Sequence, residues 1–333
     1  MALELKEKYS GVINVVTIGA AKDEGGSRSN VVKVGGEATL PFLFNEGESP
    51  HKPVIAWEIW DVQPQDWPEE LVKPYRDVLS DGLSWAEKCV KEFRAQLLCV
   101  RLQGAHPDFG NKSAEEEAEF IRRLLKKVGV PLIILGCGDD VKNNLILPAC
   151  CEAAKGERCL VGAALQDNYK TLTAAALADG HTIIAESPID INIAKQLNIL
   201  ISDMGLPLER IVINPTIGAL GYGLEYAYSI MERARLAALA GDKTVASPFI
   251  CFVGQEAWRV KEAKSTQAEF PQWGPEAQRG PLWEMLTAAA LLQAGADILV
   301  MRHPKAIEKV NGYIDELMQK SEARNPKSET VSQ

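Results

Sequence analysis

Eight short apolar runs, set between residues 53 and 302 and separated by helical stretches, constrain this chain more than any other feature. They are PVIAWEIW (53–60), QLLCVRL (96–102), PLIILG (131–136), CLVGAA (159–164), TIIAES (182–187), RIVIN (210–214), PFICFV (248–253) and DILVMR (297–302). Runs this apolar and this short read as strands covered on both faces. Between them lie segments such as AEEEAEFIRRLLKKVG and INIAKQLNILISDMG, whose apolar residues recur at helical spacing. Gly129, Gly156, Gly180, Gly205, Gly241 and Gly295 each fall just past a helical stretch, where glycine ends a helix by accepting a left-handed backbone. Strand–helix alternation implies right-handed βαβ units and a parallel sheet. Eight such units predict a closed α/β fold, a (β/α)8 TIM barrel. An open doubly wound sheet is the other solution, but it would show one dominant Gly-rich first turn, which is missing here.

Residues 1–50 read differently. VINVVTIG (12–19) and NVVKVGG (30–36) look like two strands joined by a polar loop, a β-hairpin extension laid over one end of the barrel. The barrel is then expected over 51–320, and the polar residues 321–333 as a frayed, flexible tail. Residues 256–281, with Trp258, Trp273, Pro271, Pro275 and Pro281, read as a long irregular connection, the kind that often carries function.

The formal charge of −9 disfavours nucleic acid or an anionic membrane as the main partner. No apolar run approaches the roughly 20 residues that span a bilayer. The start, MALELKEKYSG, lacks the apolar core of a signal peptide, which predicts a cytoplasmic protein. Seven cysteines, at 89, 99, 137, 150, 151, 159 and 251, then read as reduced thiols, with no C-x-x-C and no zinc or iron–sulfur spacing.

Ligands of such barrels bind at the C-terminal strand ends. The residues there are Asp61, Gln63, Gln103, His106, Asp108, Asp139, Asp140, Gln166, Asp167, Asn168, Glu186, Asp190, Asn192, Asn214, Thr216, Gln255, Glu256, Trp258 and His303. The rim is rich in amides and carboxylates and poor in lysine, which suits a ligand offering amides or an uncharged heterocycle. Asp139, Asp167 and Asp190 also sit where helices begin, and N-capping is their simplest role. His106 reads most simply as a surface or capping residue. In NPTIGALGYG (214–223), Gly218, Gly221 and Gly223 either admit a flat ligand or close a tight loop. Trp57, Trp60, Trp67 and Trp85 are candidates for core packing or interface anchors.

Longer strings carry a resemblance. PVIAWEIWD, GCGD (136–139), residues 167–201, NPTIGALGYGLEYAYSIMERARLAAL (214–239), VGQEAWRVKEA (253–263) and residues 280–307 resemble the small subunit of the corrinoid iron–sulfur protein. That family is also called the delta subunit of the acetyl-CoA decarbonylase/synthase complex. The match runs from about residue 11 to 318. It implies a TIM barrel paired with a large subunit that holds a [4Fe–4S] cluster and cobalamin, this chain sharing the cobalamin and carrying no iron–sulfur cluster. It implies that the pair takes a methyl group from methyltetrahydrofolate, through a separate methyltransferase, and delivers it to acetyl-CoA synthase in the reductive acetyl-CoA (Wood–Ljungdahl) pathway. A reductive activator is a further implied partner. The family strings place Asn214, Gly218, Gly221, Tyr222, Gly223, Glu256 and Trp258 at the mouth facing the corrin; Asn192 and Thr216 join them from the rim. This chain lacks the D-x-H-x-x-G string that places a histidine on cobalt, so it is not expected to hold the corrinoid alone.

Two other functions compete. A stand-alone pterin-dependent methyltransferase would use Asn192 or Asn214 to support activation of methyltetrahydrofolate. A metal-dependent lyase or aldolase would need a strand-end lysine, whereas Lys170 and Lys195 fall in helical stretches.

Overall fold

The computed structural model describes residues 6–324, with side-chain surroundings through residue 319. Two short strands, β1 (Val16–Ile18) and β2 (Val32–Val34), form an antiparallel pair. Eight parallel strands follow: β3 (Val54–Trp60), β4 (Leu98–Arg101), β5 (Leu132–Leu135), β6 (Leu160–Ala164), β7 (Thr182–Glu186), β8 (Ile211–Asn214), β9 (Phe249–Cys251) and β10 (Ala296–Met301). They close into one barrel in sequence order, with β10 pairing β3. All eight coincide with the apolar runs of the sequence.

The helices are α1 (Glu69–Val72), α2 (Gly82–Lys91), α3 (Ala114–Lys127), α4 (Asp140–Ala153), α5 (Tyr169–Asp179), α6 (Ile191–Asp203), α7 (Leu224–Leu239), α8 (Val253–Ala257), α9 (Lys261–Lys264), α10 (Glu276–Gln293) and α11 (Pro304–Arg324). Ser113 and Glu116 form a reciprocal capping box at the start of α3. Five of the six glycine stops have positive φ; Gly129 does not. There α3 ends on an extended Val128, and Gly129 instead uses its carbonyl to hold Ser29 of the N-terminal extension.

Two boundaries differ from expectation. The connection 256–281 is broken up by helix: it contains the end of α8, the whole of α9 and the start of α10 at Glu276. Pro281 sits inside α10; Gly280 beside it is packed so closely on Trp258 that a Cβ would come within 2.5 Å of the indole, and such packing overrides a local breaker. The polar tail expected from 321 is helical as far as Arg324, in keeping with good helix formers in SEAR. The remainder of that tail lies outside the described residues.

The extension does more than cover an end. Asn14, Gly19 and Ser29 donate backbone N–H groups to the carbonyls of Ala246, Arg158 and Gly129, and the Asn30 amide reaches Gln96 O at 3.1 Å. All four carbonyls lie on segments about to enter barrel strands, so the pair seals the N-terminal end. Val16, Ile18, Val32 and Val34 join Leu97, Ile133, Leu160, Val212 and Ile298 in one buried cluster inside the barrel. Arg28, 4% exposed, binds Glu157 Oε2 at 2.7 Å and the carbonyls of Leu125, Val128 and Val130. With that end plugged, the C-terminal strand ends form the open face.

Candidate functional site at the barrel mouth

A cavity of about 320 Å³ opens at the C-terminal end. Arg101, Glu186 and Asn214 reach it from the last positions of β4, β7 and β8. Asp140 and Asn143 come from the first turn of α4, and Gln255 and Glu256 from α8, which begins two residues after β9. Asn143 lies so close to the β5 exit that only glycine fits at Gly136, where a Cβ would stand 2.1 Å from its Oδ1. That oxygen accepts the Cys137 N–H at 2.9 Å.

The lining is polar and largely pre-arranged. Asn214 Nδ2 donates to Glu186 Oε2 at 2.7 Å, and Asn214 Oδ1 accepts from the Thr216 N–H at 3.1 Å. Burial raises the Glu186 pKa, opposed by the Asn214 hydrogen bond and the Arg101 charge. Arg101 Nη2 donates to Gln255 Oε1 at 2.5 Å, and Gln255 Nε2 to Glu256 Oε1 at 2.9 Å. The cavity therefore presents three carboxyl groups and one guanidinium, an acceptor-rich surface suited to a ligand offering N–H donors.

Beneath it lies a buried ion cluster. Glu58, in mid-strand β3, accepts from Arg302 Nε at 2.9 Å and Nη2 at 2.8 Å, from Arg101 Nε at 3.0 Å and from Trp60 Nε1 at 2.9 Å. Burial alone would raise its pKa, but the two guanidiniums and these donors hold it far below the usual carboxylate range. Next to it, Glu284 of α10 accepts the Arg302 and His303 N–H groups and Trp258 Nε1, and burial pushes it up to about 7.

On the other side of the mouth, Asp61 accepts the Gly104 N–H at 2.9 Å and Lys112 Nζ at 2.6 Å. The Glu117 carboxyl is buried beside it, with both oxygens unpartnered. Burial first, then the Asp61 charge, push Glu117 up to about 8 against the pull of Lys112. A carboxyl whose folded pKa is raised adds stability that is complete below its unfolded pKa of about 4.3 and fades as pH rises. Stability should therefore decline from about pH 4.3 to about pH 8. Glu117→Gln keeps the neutral form and should flatten that decline in denaturant titrations across the range. Glu37 and Glu284 act in the same direction, so part of the slope survives. An unchanged slope in the variant would show that Glu117 is ionised in the fold.

A sequence profile of the CO dehydrogenase/acetyl-CoA synthase delta subunit family matches residues 15–312. This chain belongs to that family. It is 37% identical over 303 residues to the acetyl-CoA decarbonylase/synthase complex subunit delta of Methanocaldococcus jannaschii, covering 91% of this chain and 73% of that one. The subunit delta of Archaeoglobus fulgidus is 37% identical over 307 residues, covering 91% and 68%. Among solved structures, dihydropteroate synthase from Stenotrophomonas maltophilia with bound imidazole superposes with a TM-score of 0.52 at 12% identity, over 80% of this chain and 93% of that one. Yersinia pestis DHPS with a pterine-sulfa conjugate gives 0.51 at 10% identity, over 81% and 94%. At these identities the likeness is one of fold.

In this delta-subunit barrel the expected site residues separate into four groups. Asn214, Thr216 and Glu256 line the cavity. Asn192 is exposed in the first turn of α6, its N–H held by Asp190 at 2.7 Å, and does not line the cavity. Gly218, Gly221, Tyr222 and Gly223 form a tight loop entering α7: a Cβ on Gly218 would lie 2.3 Å from Tyr222 O, and Gly221 and Gly223 have positive φ. Tyr222 points outward and donates to Glu262 at 2.8 Å. Trp258 is 2% exposed and stacks on His303, so it frames the mouth from within.

Other expectations resolve in the same way. Asp139 and Asp190 cap α4 and α6. Asp167 does not cap α5, whose N-cap position is Asn168; Asn168 Oδ1 is spent on the Leu165 N–H. His106 Nδ1 accepts the Asp108 N–H, a capping contact. Trp57, Trp60, Trp67 and Trp85 are all buried, which makes them core and removes them as surface anchors. All seven cysteines are buried and free; burial raises their thiols, that of Cys159 to about 12. Lys170 and Lys195 lie on α5 and α6, Lys195 paired with Asp242. Among the described residues no helix is long and apolar enough to cross a membrane.

Glu58, Arg101, Arg302 and Asn143 are functional positions that strand-end position alone did not mark. The first three stand inside apolar strand runs, and a charge in such a run must find a buried partner. That was the available signal. Asn143 lies one turn into a helix and gave none.

Proposed function

We propose that this chain acts as the barrel subunit of a methyl-carrying corrinoid protein, its mouth closing over cobalamin held by a larger partner subunit. The pair would take methyl groups from a methyltetrahydrofolate methyltransferase and pass them to acetyl-CoA synthase. The observation that carries the reading is the acceptor-rich cavity in a member of the delta-subunit family.

The lining fits such a partner. A corrin carries primary amides at its edge, each offering two N–H donors. Glu186 has only one oxygen bonded to Asn214, and Asp140 and Glu256 stand beside it on the cavity wall. These carboxyl groups, with Asn143, would hold the amide edge. When bound, the corrinoid supplies a metal that accepts and releases a methyl group. The chain's own residues supply orientation and exclusion of water. Arg101 is held at the cavity wall by Glu58 and Gln255, so the electrostatics of the mouth are fixed in advance. No histidine or cysteine lines the cavity, so the wall's role would be to hold the amide edge, and the partner would hold the metal.

The test is assembly. The full chain and its large subunit are mixed with cobalamin, and the visible spectrum and complex size are recorded. Asp140→Asn with Glu186→Gln should weaken capture of the corrinoid-loaded partner about tenfold, the worth of one to two hydrogen bonds. Tight binding of methyltetrahydrofolate or cobalamin by this chain alone would overturn the capping role in favour of a stand-alone methyltransferase.

A further inference from the structure

Beside the acidic cavity lies a second one of about 210 Å³, sharing Arg101 and Gln255 as the dividing wall. Its character is opposite. Arg101, Arg259, Lys264 and Arg302 line it, against Asp66 as the one lining carboxylate, and its apolar walls are Trp60, Trp67, Phe109 and Trp258. We propose that this second cavity is a binding subsite for a flat organic anion, a carboxylate carried on a planar ring.

Three observations support this. First, the cations face the cavity while the carboxylates that balance them lie elsewhere. Glu58 and Glu284 are wholly buried behind Arg302, and Glu256, paired with Arg259, lines the other cavity. A ligand in the cavity therefore meets positive charge first. Second, the bonds to Glu58 and Gln255 use Nε and Nη2 of Arg101 and Arg302 and leave Nη1 of both outside them. A carboxylate is the acceptor such guanidinium edges favour. Third, the aromatic walls are held rigidly. Arg302 stacks 4.9 Å from the Trp67 ring centroid and 5.6 Å from that of Trp60. Trp60 and Trp67 meet edge to face at 5.6 Å, and Trp258 is fixed by Glu284. The Trp67 indole N–H is buried in this wall without a partner. Preformed aromatic walls select a flat body, and the cations select its charge.

The inference does not depend on the corrinoid reading, because the probe is small and the chain is tested by itself. Three tryptophans line the cavity, so intrinsic fluorescence reports occupancy. The full chain is titrated with benzoate, benzamide and inorganic phosphate at low salt, and the fits are checked by calorimetry. Benzoate should bind saturably, with benzamide and phosphate each at least about tenfold weaker, one charged hydrogen bond or one ring's burial being worth that much. Arg259→Gln with Lys264→Gln should weaken benzoate about fivefold and leave the melting temperature unchanged, since both side chains are exposed. Glu186→Gln, in the first cavity, should leave benzoate affinity unaltered. Equal affinity for benzamide would remove the anion requirement, and equal affinity for phosphate would remove the planar one. No saturable binding, or double-variant affinity equal to wild type, would overturn the subsite.

Discussion

Replacing Glu58 by glutamine is expected to cost about 3–5 kcal/mol of stability, the usual loss when one partner of a buried ion pair is removed. Among the described residues, Glu58 is the only carboxylate in hydrogen-bond contact with both Arg101 and Arg302. An amide brings no negative charge to the two guanidiniums, and its NH2 group would have to face donors that now bond a carboxylate oxygen, so the variant buries uncompensated charge under the mouth. Chemical denaturation at pH 7 measures the loss. A second comparison separates charge from shape. Adding Arg302→Met to Glu58→Gln removes one of the two stranded cations and should recover part of the deficit, giving a favourable coupling in a double-mutant cycle. The pH sign is opposite to that of Glu117. The Glu58 pKa is lowered by folding, so its stabilisation is present above the unfolded carboxylate value and is lost as pH falls. The wild-type and variant curves should therefore converge in acid. A deficit under about 1 kcal/mol at pH 7 would mean that water reaches the cluster and screens it as it screens surface pairs.

The barrel was legible because its signal is repeated. Each strand run was short, apolar and bounded by a helix stop, and eight of them in series leave few alternatives to closure. Failures arose where a tertiary contact overrode a local rule. Pro281 breaks a helix in isolation, yet Gly280 beside it lies against Trp258 and α10 continues through both. Gly129 looked like a left-handed stop, but it serves as an acceptor for the N-terminal extension. The rim was legible by position and less so by role. Asn214, Thr216 and Glu256 line the cavity because a residue at a strand exit or in the following turn has little freedom to point elsewhere. Trp258 shared that location and was drawn inward by Glu284, a residue 26 positions away in sequence. The two-sided charge of the mouth was hidden from the sequence, since it depends on which carboxylates stand behind the arginines and which in front.

Arg235→Leu should damage the opposite end of the barrel by a similar amount, about 3–5 kcal/mol at pH 8. Arg235, 2% exposed, bonds Asp297 Oδ2 at 2.9 Å and Gly295 O at 2.6 Å, and approaches Glu37 Oε2 at 3.4 Å. Its guanidinium also lies 5.2 Å from the Phe249 ring centroid. Asp297 in turn accepts the Phe249 N–H at 2.6 Å. One arginine thus joins α7, the entry to β10, the entry to β9 and the N-terminal extension. Without it, the Glu37 and Asp297 carboxyl groups face each other with no cation between them. Glu37 is already pushed up to about 8, by burial and by the Asp297 charge, while Arg235 opposes both. Removing that opposition raises it further, so the variant holds its proton and suffers less in acid. The deficit should therefore be larger at pH 9 than at pH 5, and Arg235→Lys, which restores charge without the planar fork, should fall between. The extension depends on this junction to stay seated, so limited proteolysis should release fragments cut between residues 20 and 50 faster from Arg235→Leu than from wild type. A pH-independent deficit with an unchanged cleavage rate would show that Arg235 acts only by packing and that the plug is held by its valines and isoleucines alone.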